Sequence, residues 1–168
     1  MGTSTDAIIF YGITLDVEQH PPGCEPWETS WEDYFVAKVL DWQKGDGRIP
    51  YEKTKEVLKE YRVKFETHQH HECFVPIICV DESFIRANRG EEMKLDPEKM
   101  VLCEGMKQEW DDIIARVVDA LMLDHIPCEA CEGTGTNGWN GQPCYKCNGR
   151  KTRPPVGRPD WYLVSYWG

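Results

Sequence analysis

The apolar residues of this chain follow two spacings, and those spacings predict its strands and helices. Residues 6–16 form a nearly continuous apolar run rich in β-branched and aromatic side chains, which is typical of a central strand buried on both faces. Residues 63–67 alternate between apolar and polar and residues 74–80 are again apolar, so they predict an antiparallel hairpin with its turn at 68–72. The run 161–167 predicts a last strand that pairs with the first.

Helical spacing occupies the segments between these strands. Apolar residues recur at helical positions in residues 27–44, and Pro50 is well placed as the first residue of a second helix. Asp96 and Pro97 have the order of a helix cap and its first residue. The clearest helix is predicted for residues 107–123, where six apolar side chains fall on one side. We therefore expect an α+β fold with a four-stranded mixed sheet and three to four helices.

Four cysteines form two CxxC pairs. Cys128 and Cys131 are separated from Cys144 and Cys147 by a stretch with four glycines and two asparagines, which predicts a turn-rich hairpin. Four thiolates can surround one zinc ion tetrahedrally and leave no open coordination position, so we predict one structural zinc rather than a catalytic one. The alternatives are a redox pair, typical of a single CxxC that opens a helix, and two disulfides, typical of a secreted chain.

The first pair belongs to a longer motif, because Gly133 and Gly135 follow Cys131. This CxxCxGxG pattern resembles one unit of the cysteine-rich domain of DnaJ chaperones, in which such units pair to bind zinc. The second pair departs from the pattern at Arg150 and Lys151, and the sequence has no His-Pro-Asp motif of a J-domain. The resemblance implies a zinc site and a recognition module, and does not imply a chaperone.

Composition divides the chain into a body and an insert. Residues 1–123 and 160–168 form the predicted α+β body, and residues 124–159 form the zinc hairpin with a basic, Pro-rich tether. The first 123 residues carry 25 of the 29 acidic and 14 of the 19 basic side chains, whereas the charges in residues 144–159 are all basic. Repulsion between carboxylates and phosphates disfavours nucleic-acid binding by the body.

The sequence favours a cytoplasmic protein. It has no apolar run long enough to cross a membrane and no pattern of a signal peptide at its start. The cysteines outside the two pairs are therefore expected to be reduced, partly buried thiols: Cys24, Cys73, Cys79 and Cys103.

Side chains suited to macromolecular contact surround the predicted zinc. Trp139 lies between two Asn-Gly pairs at the tip of the hairpin, and Lys146, Arg150 and Lys151 form a basic loop beside the second CxxC pair. An exposed tryptophan next to a basic loop is typical of a contact with a protein partner or with a stacked base. The alternatives are that Trp139 packs back over the metal and that the basic loop is ordinary solvated surface.

A second group of potential ligands lies in and after the predicted hairpin turn. His68 and His70 would share one face of a strand, and Asp81 could approach from the neighbouring strand to complete a hydrolytic metal site; solvated turn histidines are the alternative. Arg86 and Arg89 could hold a phosphate or carboxylate, or pair with the acidic surface. The sequence has no phosphate-binding loop, HExxH motif or nucleophile elbow, so we do not expect an enzyme.

Three parts of the chain, the middle one made of two short stretches, carry a second resemblance. They are DAIIFYG at 6–12, THQH at 67–70 with RANRG at 86–90, and WYLVSYWG at 161–168. Together they are similar to a family of uncharacterised tailed-phage proteins. The resemblance implies a phage or prophage origin, with the zinc hairpin as an elaboration, and implies little about mechanism.

The favoured function is therefore a small phage-encoded accessory protein with a structural zinc that binds a host or phage macromolecule. A protein target is favoured over nucleic acid because the body is acidic, and one specific version is a counter-defence inhibitor whose carboxylates mimic phosphates. The alternatives are a zinc-ribbon nucleic-acid-binding protein and a metal-dependent hydrolase or nuclease that uses His68, His70 and Asp81.

Overall fold

A computed structural model describes residues 7–15, 21, 29–43, 47–70, 73–88, 94–123, 128–138, 140–145 and 158–165. Along these residues, the chain forms five strands and four helices. The strands are β1 (Ala7–Thr14), β2 (Val63–His70), β3 (Cys73–Val80), β4 (Ile85–Ala87) and β5 (Asp160–Ser165). The helices are α1 (Trp31–Val39), α2 (Tyr51–Tyr61), α3 (Pro97–Met100) and α4 (Glu104–Ala120). The predicted α+β class is confirmed.

The strands form one sheet in which β1 is central. β1 pairs with β3 and β4 along one side and with β5 along the other, and β2 pairs with the outer side of β3. All of these pairings are antiparallel, so the predicted sheet is wrong in having four strands and in being mixed. The missed strand, β4, has only three residues, too few to show a period. The predicted pairing of the last strand with the first is confirmed.

A break separates β3 from β4 along their shared side of β1. The register shifts by three residues between the two pairings, and the extra residues form a 3-10 turn at Asp81–Ser83. Ser83 Oγ accepts a hydrogen bond from the backbone N–H of Tyr11 at 2.9 Å. The serine hydroxyl thus supplies the acceptor that β1 lacks where the ladder is interrupted.

Gly12 marks the closest approach of β1 and β3. A Cβ atom added at Gly12 would lie 2.7 Å from the Cα of Cys79 and would collide with the carbonyl oxygen of Ile78. Backbones can approach this closely only where one residue lacks a side chain. This close approach explains why a glycine stands in the middle of β1.

The helices pack on one face of the sheet and enclose the main core. Tyr11 and Ile13 of β1 share a buried cluster with Phe35 of α1 and Val117 of α4. Helix α1 begins at Trp31, later than its apolar spacing suggested, because the Ser30 side chain caps it and accepts from the N–H of Asp33. Helix α4 begins three residues earlier than predicted and ends three residues earlier.

The opposite face carries a smaller core in the concave side of a bent sheet. Its buried members are Ile8, Phe10, Ile77 and Cys79. Arg86 pairs with Ile8 and Glu66 pairs with Ile77, so in a flat sheet their backbones would be about 20 Å apart along the strands. Arg86 Nη1 nevertheless lies 3.7 Å from Glu66 Oε2. The sheet therefore curls toward this face, and the small core is enclosed by the curl.

The hairpin turn predicted at 68–72 is wrong for its first three residues. β2 continues through His70, opposite Cys73 of β3, and the two residues between them lie outside the described residues. The polar side chains at these positions suggested a turn, but backbone pairing with β3 determines the local structure. Sequence polarity alone could not reveal that pairing.

Candidate metal centre

The first CxxC pair forms a tight turn around one cysteine sulfur. The N–H groups of Cys131 and Gly133 both donate to the carbonyl oxygen of Cys128, at 3.3 and 3.1 Å. Gly133 and Gly135 have positive φ angles of 77° and 81°, a conformation that glycine adopts without strain. The N–H of Gly135 then donates to Cys131 Sγ at 3.3 Å. The glycines of the motif thus allow the backbone to place an amide against a sulfur.

A short hairpin returns the chain to this turn. Thr136 and Pro143 form an antiparallel bridge, and the N–H of Cys144 donates to the carbonyl oxygen of Gly135 at 2.9 Å. The bond from Cys144 holds this first cysteine of the second CxxC pair directly beside the first pair. The predicted turn-rich hairpin is therefore present in the described residues.

Three cysteine sulfurs converge at the base of this hairpin. The Sγ atoms of Cys128, Cys131 and Cys144 all lie within 4.8 Å of one another, and those of Cys128 and Cys144 are 3.9 Å apart. A tetrahedral site with metal–sulfur bonds of about 2.3 Å has its sulfurs about 3.8 Å apart. The three residues are 2%, 7% and 2% exposed, so solvent is largely excluded. The arrangement can hold a metal ion.

The same geometry disfavours the two alternatives to a metal site for these cysteines, namely disulfides and a redox CxxC pair. Cys128, Cys131 and Cys144 are free cysteines, and a disulfide needs sulfurs about 2.05 Å apart. Cys128 precedes a 3-10 turn of three residues and Cys131 is the last residue of that turn, so neither opens an α-helix, which is the usual setting of a redox CxxC pair. Shared coordination explains the convergence better than either form of redox chemistry.

The predicted fourth ligand, Cys147, lies outside the described residues. The same is true of the predicted contact residues and of one arginine of the second group: Trp139, Lys146, Arg150, Lys151 and Arg89. The described cysteines are thus three members of the predicted donor set. Coordination by Cys147 stays a prediction.

The strand register separates His68 from the acidic residue that was predicted to join it. His68 lies opposite Val75, whereas the N–H of Asp81 donates to the carbonyl oxygen of Arg62, beyond the other end of β2. The six residues from Arg62 to His68 span about 20 Å of strand. His68 and Asp81 therefore cannot ligate one ion, and the predicted hydrolytic site is not assembled. The His70 backbone lies in β2, but its side chain is outside the description.

The second group instead forms part of the sheet. His68 is 8% exposed, so the interpretation of a solvated turn histidine is also wrong. Arg86 pairs with Glu66 across the concave face, as the acidic-surface alternative predicted. Among the described side chains, the three cysteines are the group of three or more potential ligands that converges.

A polar network between β1 and α4 escaped the sequence analysis. The Tyr11 hydroxyl donates to Asp111 Oδ1 at 2.6 Å, and Lys107 Nζ donates to Asp111 Oδ2 at 2.8 Å. Burial and the bond to Asp111 raise the pKa of Tyr11. Burial alone would raise the pKa of Asp111, but the hydrogen bonds from Lys107 and Tyr11 outweigh it and lower that pKa. No sequence motif marks this contact, because its partners are far apart in the chain.

The hairpin also presents an aromatic residue that sequence reasoning passed over. Tyr145, between Cys144 and Lys146, is 79% exposed, although the cysteine beside it is buried. The sequence signal for this residue was its position between Cys144 and Cys147, the two predicted zinc ligands of the second CxxC pair. Of the four cysteines outside the CxxC pairs, Cys79 is buried with its thiol pKa raised by burial to about 12, while Cys103 is exposed and not partly buried as predicted. Cys24 and the side chain of Cys73 lie outside the described residues.

Within the described residues, no helix combines the length and the apolar character that a membrane span requires. Comparison with protein-family models, with curated proteins and with solved structures finds no match to this chain.

Proposed function

We propose that this chain is a small phage-encoded accessory protein that binds a host or phage protein through a hairpin shaped by one structural zinc ion. Cys128, Cys131, Cys144 and Cys147 would hold the ion. Trp139, Lys146, Arg150 and Lys151 would lie at the contact. The observation that carries the proposal is the convergence of three buried sulfurs at the base of the hairpin.

Zinc is the metal that suits this donor set best. Soft thiolates favour zinc among the common divalent ions, and a set of four thiolates leaves no position for a substrate or water. The ion would therefore act by fixing the conformation of the hairpin. Its chemical role is structural, and recognition would be performed by the side chains that the hairpin displays.

The composition of the hairpin supports a protein as the partner. Between Glu132 and Lys146 it contains no charged residue, in a chain with 29% charged residues. Its loop is held by a 2.7 Å bond from the N–H of Asn137 to the carbonyl oxygen of Gln142. Asparagine, glycine and tyrosine residues are enriched in loops that recognise proteins. The exposed Tyr145 supplies a large contact area at low entropic cost.

The acidic body suggests a specific version of this function. With a net charge of −10, the chain could occupy a host protein that normally binds nucleic acid, as a counter-defence inhibitor whose carboxylates replace phosphates. Binding through the body would weaken steeply with added salt. Binding through the hairpin would depend less on salt, because its segment between Glu132 and Lys146 is uncharged and only Lys146, Arg150 and Lys151 would contribute charge to the contact.

Metal analysis is the first test of the proposal. We expect one zinc per chain, lost in the Cys128→Ser and Cys144→Ser variants and retained in His68→Ala. A protein purified without zinc, or a second metal lost in His68→Ala, would contradict the structural-zinc module.

Partner binding is the second test. The zinc-loaded protein is used as bait in a host lysate, and each captured protein is then measured with purified components against a Trp139→Ala, Tyr145→Ala double variant. The proposal expects the variant to lose at least about tenfold in affinity, or about 1.4 kcal/mol. An affinity that the double variant leaves unchanged would remove the hairpin from the contact.

One observation favours a second candidate function. An exposed tyrosine next to Lys146 in a segment with only basic charges could stack on a base and contact phosphates. Gel shifts with single- and double-stranded nucleic acid at low salt test this zinc-ribbon alternative. The absence of a shift at low salt would exclude it.

A further inference from the structure

The outer side of β5 is the edge of the sheet in the described part of the chain. β5 pairs with β1 from Ser165 opposite Ala7 to Asp160 opposite Gly12, and no described strand lies on its other side. Leu163, near the middle of β5, is 69% exposed. An exposed apolar residue on an edge strand is unusual, because such edges are ready to pair with another strand.

The direction of the backbone groups along β5 follows from β1. The N–H of Tyr11 donates to Ser83, which lies on the side of β1 opposite to β5. Tyr11 and its partner Trp161 therefore form a pair without mutual hydrogen bonds. Because this pattern alternates, Trp161, Leu163 and Ser165 direct their N–H and C=O groups outward, away from β1. In agreement, the N–H of Trp161 donates to the side chain of Asp160 at 2.8 Å.

The devices that normally protect an edge are weak within β5. The strand, DWYLVS, contains no proline, no lysine and no inward-pointing charge between Trp161 and Ser165. Asp160 covers one outward N–H, but it does so at the first residue of the strand. The N–H and C=O groups of Leu163 point outward beside an exposed apolar side chain.

We propose that β5 is a homodimer interface, in which the edges of two copies pair antiparallel about a two-fold axis at Leu163. In this register Leu163 lies opposite the partner's Leu163, and Trp161 lies opposite the partner's Ser165. Each of these pairs joins residues that project to the same face, and each joins residues whose backbone groups point outward. The β5 edge is thus complementary to itself, which a two-fold interface requires.

Charge predicts how this association responds to salt. Each copy carries a net charge of −10, so the copies repel each other at low ionic strength. The paired segments carry no charge between Trp161 and Ser165, so salt screens the repulsion without weakening the contact. Dimerisation should therefore strengthen with salt. Association of the basic segment of one copy with the acidic body of another would weaken instead.

Sedimentation analysis of the zinc-loaded chain from about 1 µM to several hundred µM tests the proposal, because an interface this small is expected to be weak. We expect a monomer–dimer equilibrium that shifts toward dimer between low and moderate salt. Leu163→Lys should weaken the dimer at least about tenfold. Val101→Lys is the matched control, since Val101 is 75% exposed and lies outside the sheet, and it should dimerise like the unchanged protein.

A crosslinking experiment tests the register. In a Cys103→Ser background, Leu163→Cys should form an intermolecular disulfide under mild oxidation, because the two residues face each other at about 5.5 Å between Cα atoms. Ser165→Cys should not crosslink, because its copies would be about 13 Å apart in this register.

Four outcomes would overturn the proposal. They are a chain that stays monomeric at every concentration, a dimer that Leu163→Lys leaves intact, a dimer that salt dissociates, and crosslinking of Ser165→Cys in preference to Leu163→Cys. Circular dichroism of each variant confirms that the fold is retained, as expected for a residue this exposed.

Discussion

Replacing one buried cysteine of the metal centre should remove most of its affinity for zinc. The perturbation is Cys144→Ser, at a residue that is 2% exposed and whose sulfur is 3.9 Å from that of Cys128. Structural zinc sites with four ligands bind with about 10–16 kcal/mol, or about 2.5–4 kcal/mol per ligand. Serine stays protonated and neutral at neutral pH, so it replaces little of that contribution. Affinity should therefore fall by a factor of about 100 to 1000.

Competition with a chromophoric chelator measures this loss directly. The unchanged protein should retain zinc at chelator concentrations that strip the variant completely. Cys103→Ser is the matched control, because Cys103 is exposed and does not belong to the convergent group. Equal zinc affinity in the Cys144→Ser variant and the unchanged protein would refute the assignment. So would a loss of the same size in Cys103→Ser, since the effect would then not depend on the site.

Three further changes test the body of the protein. Asp111→Asn should lower the free energy of unfolding in urea by about 1–2 kcal/mol at pH 7, because it weakens the bonds from Tyr11 and Lys107. Since the pKa of Asp111 is lowered in the fold, the difference between the variant and the unchanged protein should shrink as the pH falls through the range of that pKa. A difference that does not depend on pH would contradict the network. Gly12→Ala should lower the free energy of unfolding by about 3 kcal/mol, because the added methyl group collides with β3. Gly105→Ala is the control: its added methyl group has no atom within 4 Å, so the free energy of unfolding should change by less than about 1 kcal/mol. Equal effects of the two substitutions would disprove the close approach. His68→Ala should leave the zinc content unchanged yet lower the melting temperature, since His68 is 8% exposed, and an unchanged melting temperature would show that its burial contributes nothing.

The sequence predicted the features that depend on local pattern. The apolar run at β1 was long enough to indicate a central strand, and the spacing of apolar residues around Trp110 identified α4 to within one turn. The cysteine spacing predicted a convergent site because a CxxC pair and its glycines determine the turn almost by themselves. Each of these depends on residues close together in the chain.

Features that depend on distant pairing were not predictable from pattern. Whether His68 lies in a turn or a strand depends on the register of β2 against β3, and that register also decides that His68 cannot approach Asp81. β4 exists because three residues after the Ser83 turn meet β1 again. The hydrogen bond from Tyr11 to Ser83 in the same turn also shows which N–H and C=O groups of β5 point away from β1. None of these contacts leaves a periodic signal in the sequence.

The position of the metal centre argues that its role is local. The hairpin lies in the segment between Ala120, the end of α4, and Asp160, the start of β5, and the span from Cys128 to Cys147 is about half of that segment. Halving a flexible connection changes its closure entropy by only about 0.6 kcal/mol, so a metal clip there would add little to the docking of β5 on β1. The body already holds β5 through six paired positions, and the rings of Trp161 and Trp110 are 5.8 Å apart. Removal of zinc should therefore leave the urea unfolding of the body nearly unchanged while the hairpin loses its conformation. An ion that contributes so little to the body would act through the conformation of the hairpin, which is the surface that the proposed function assigns to the contact with a partner.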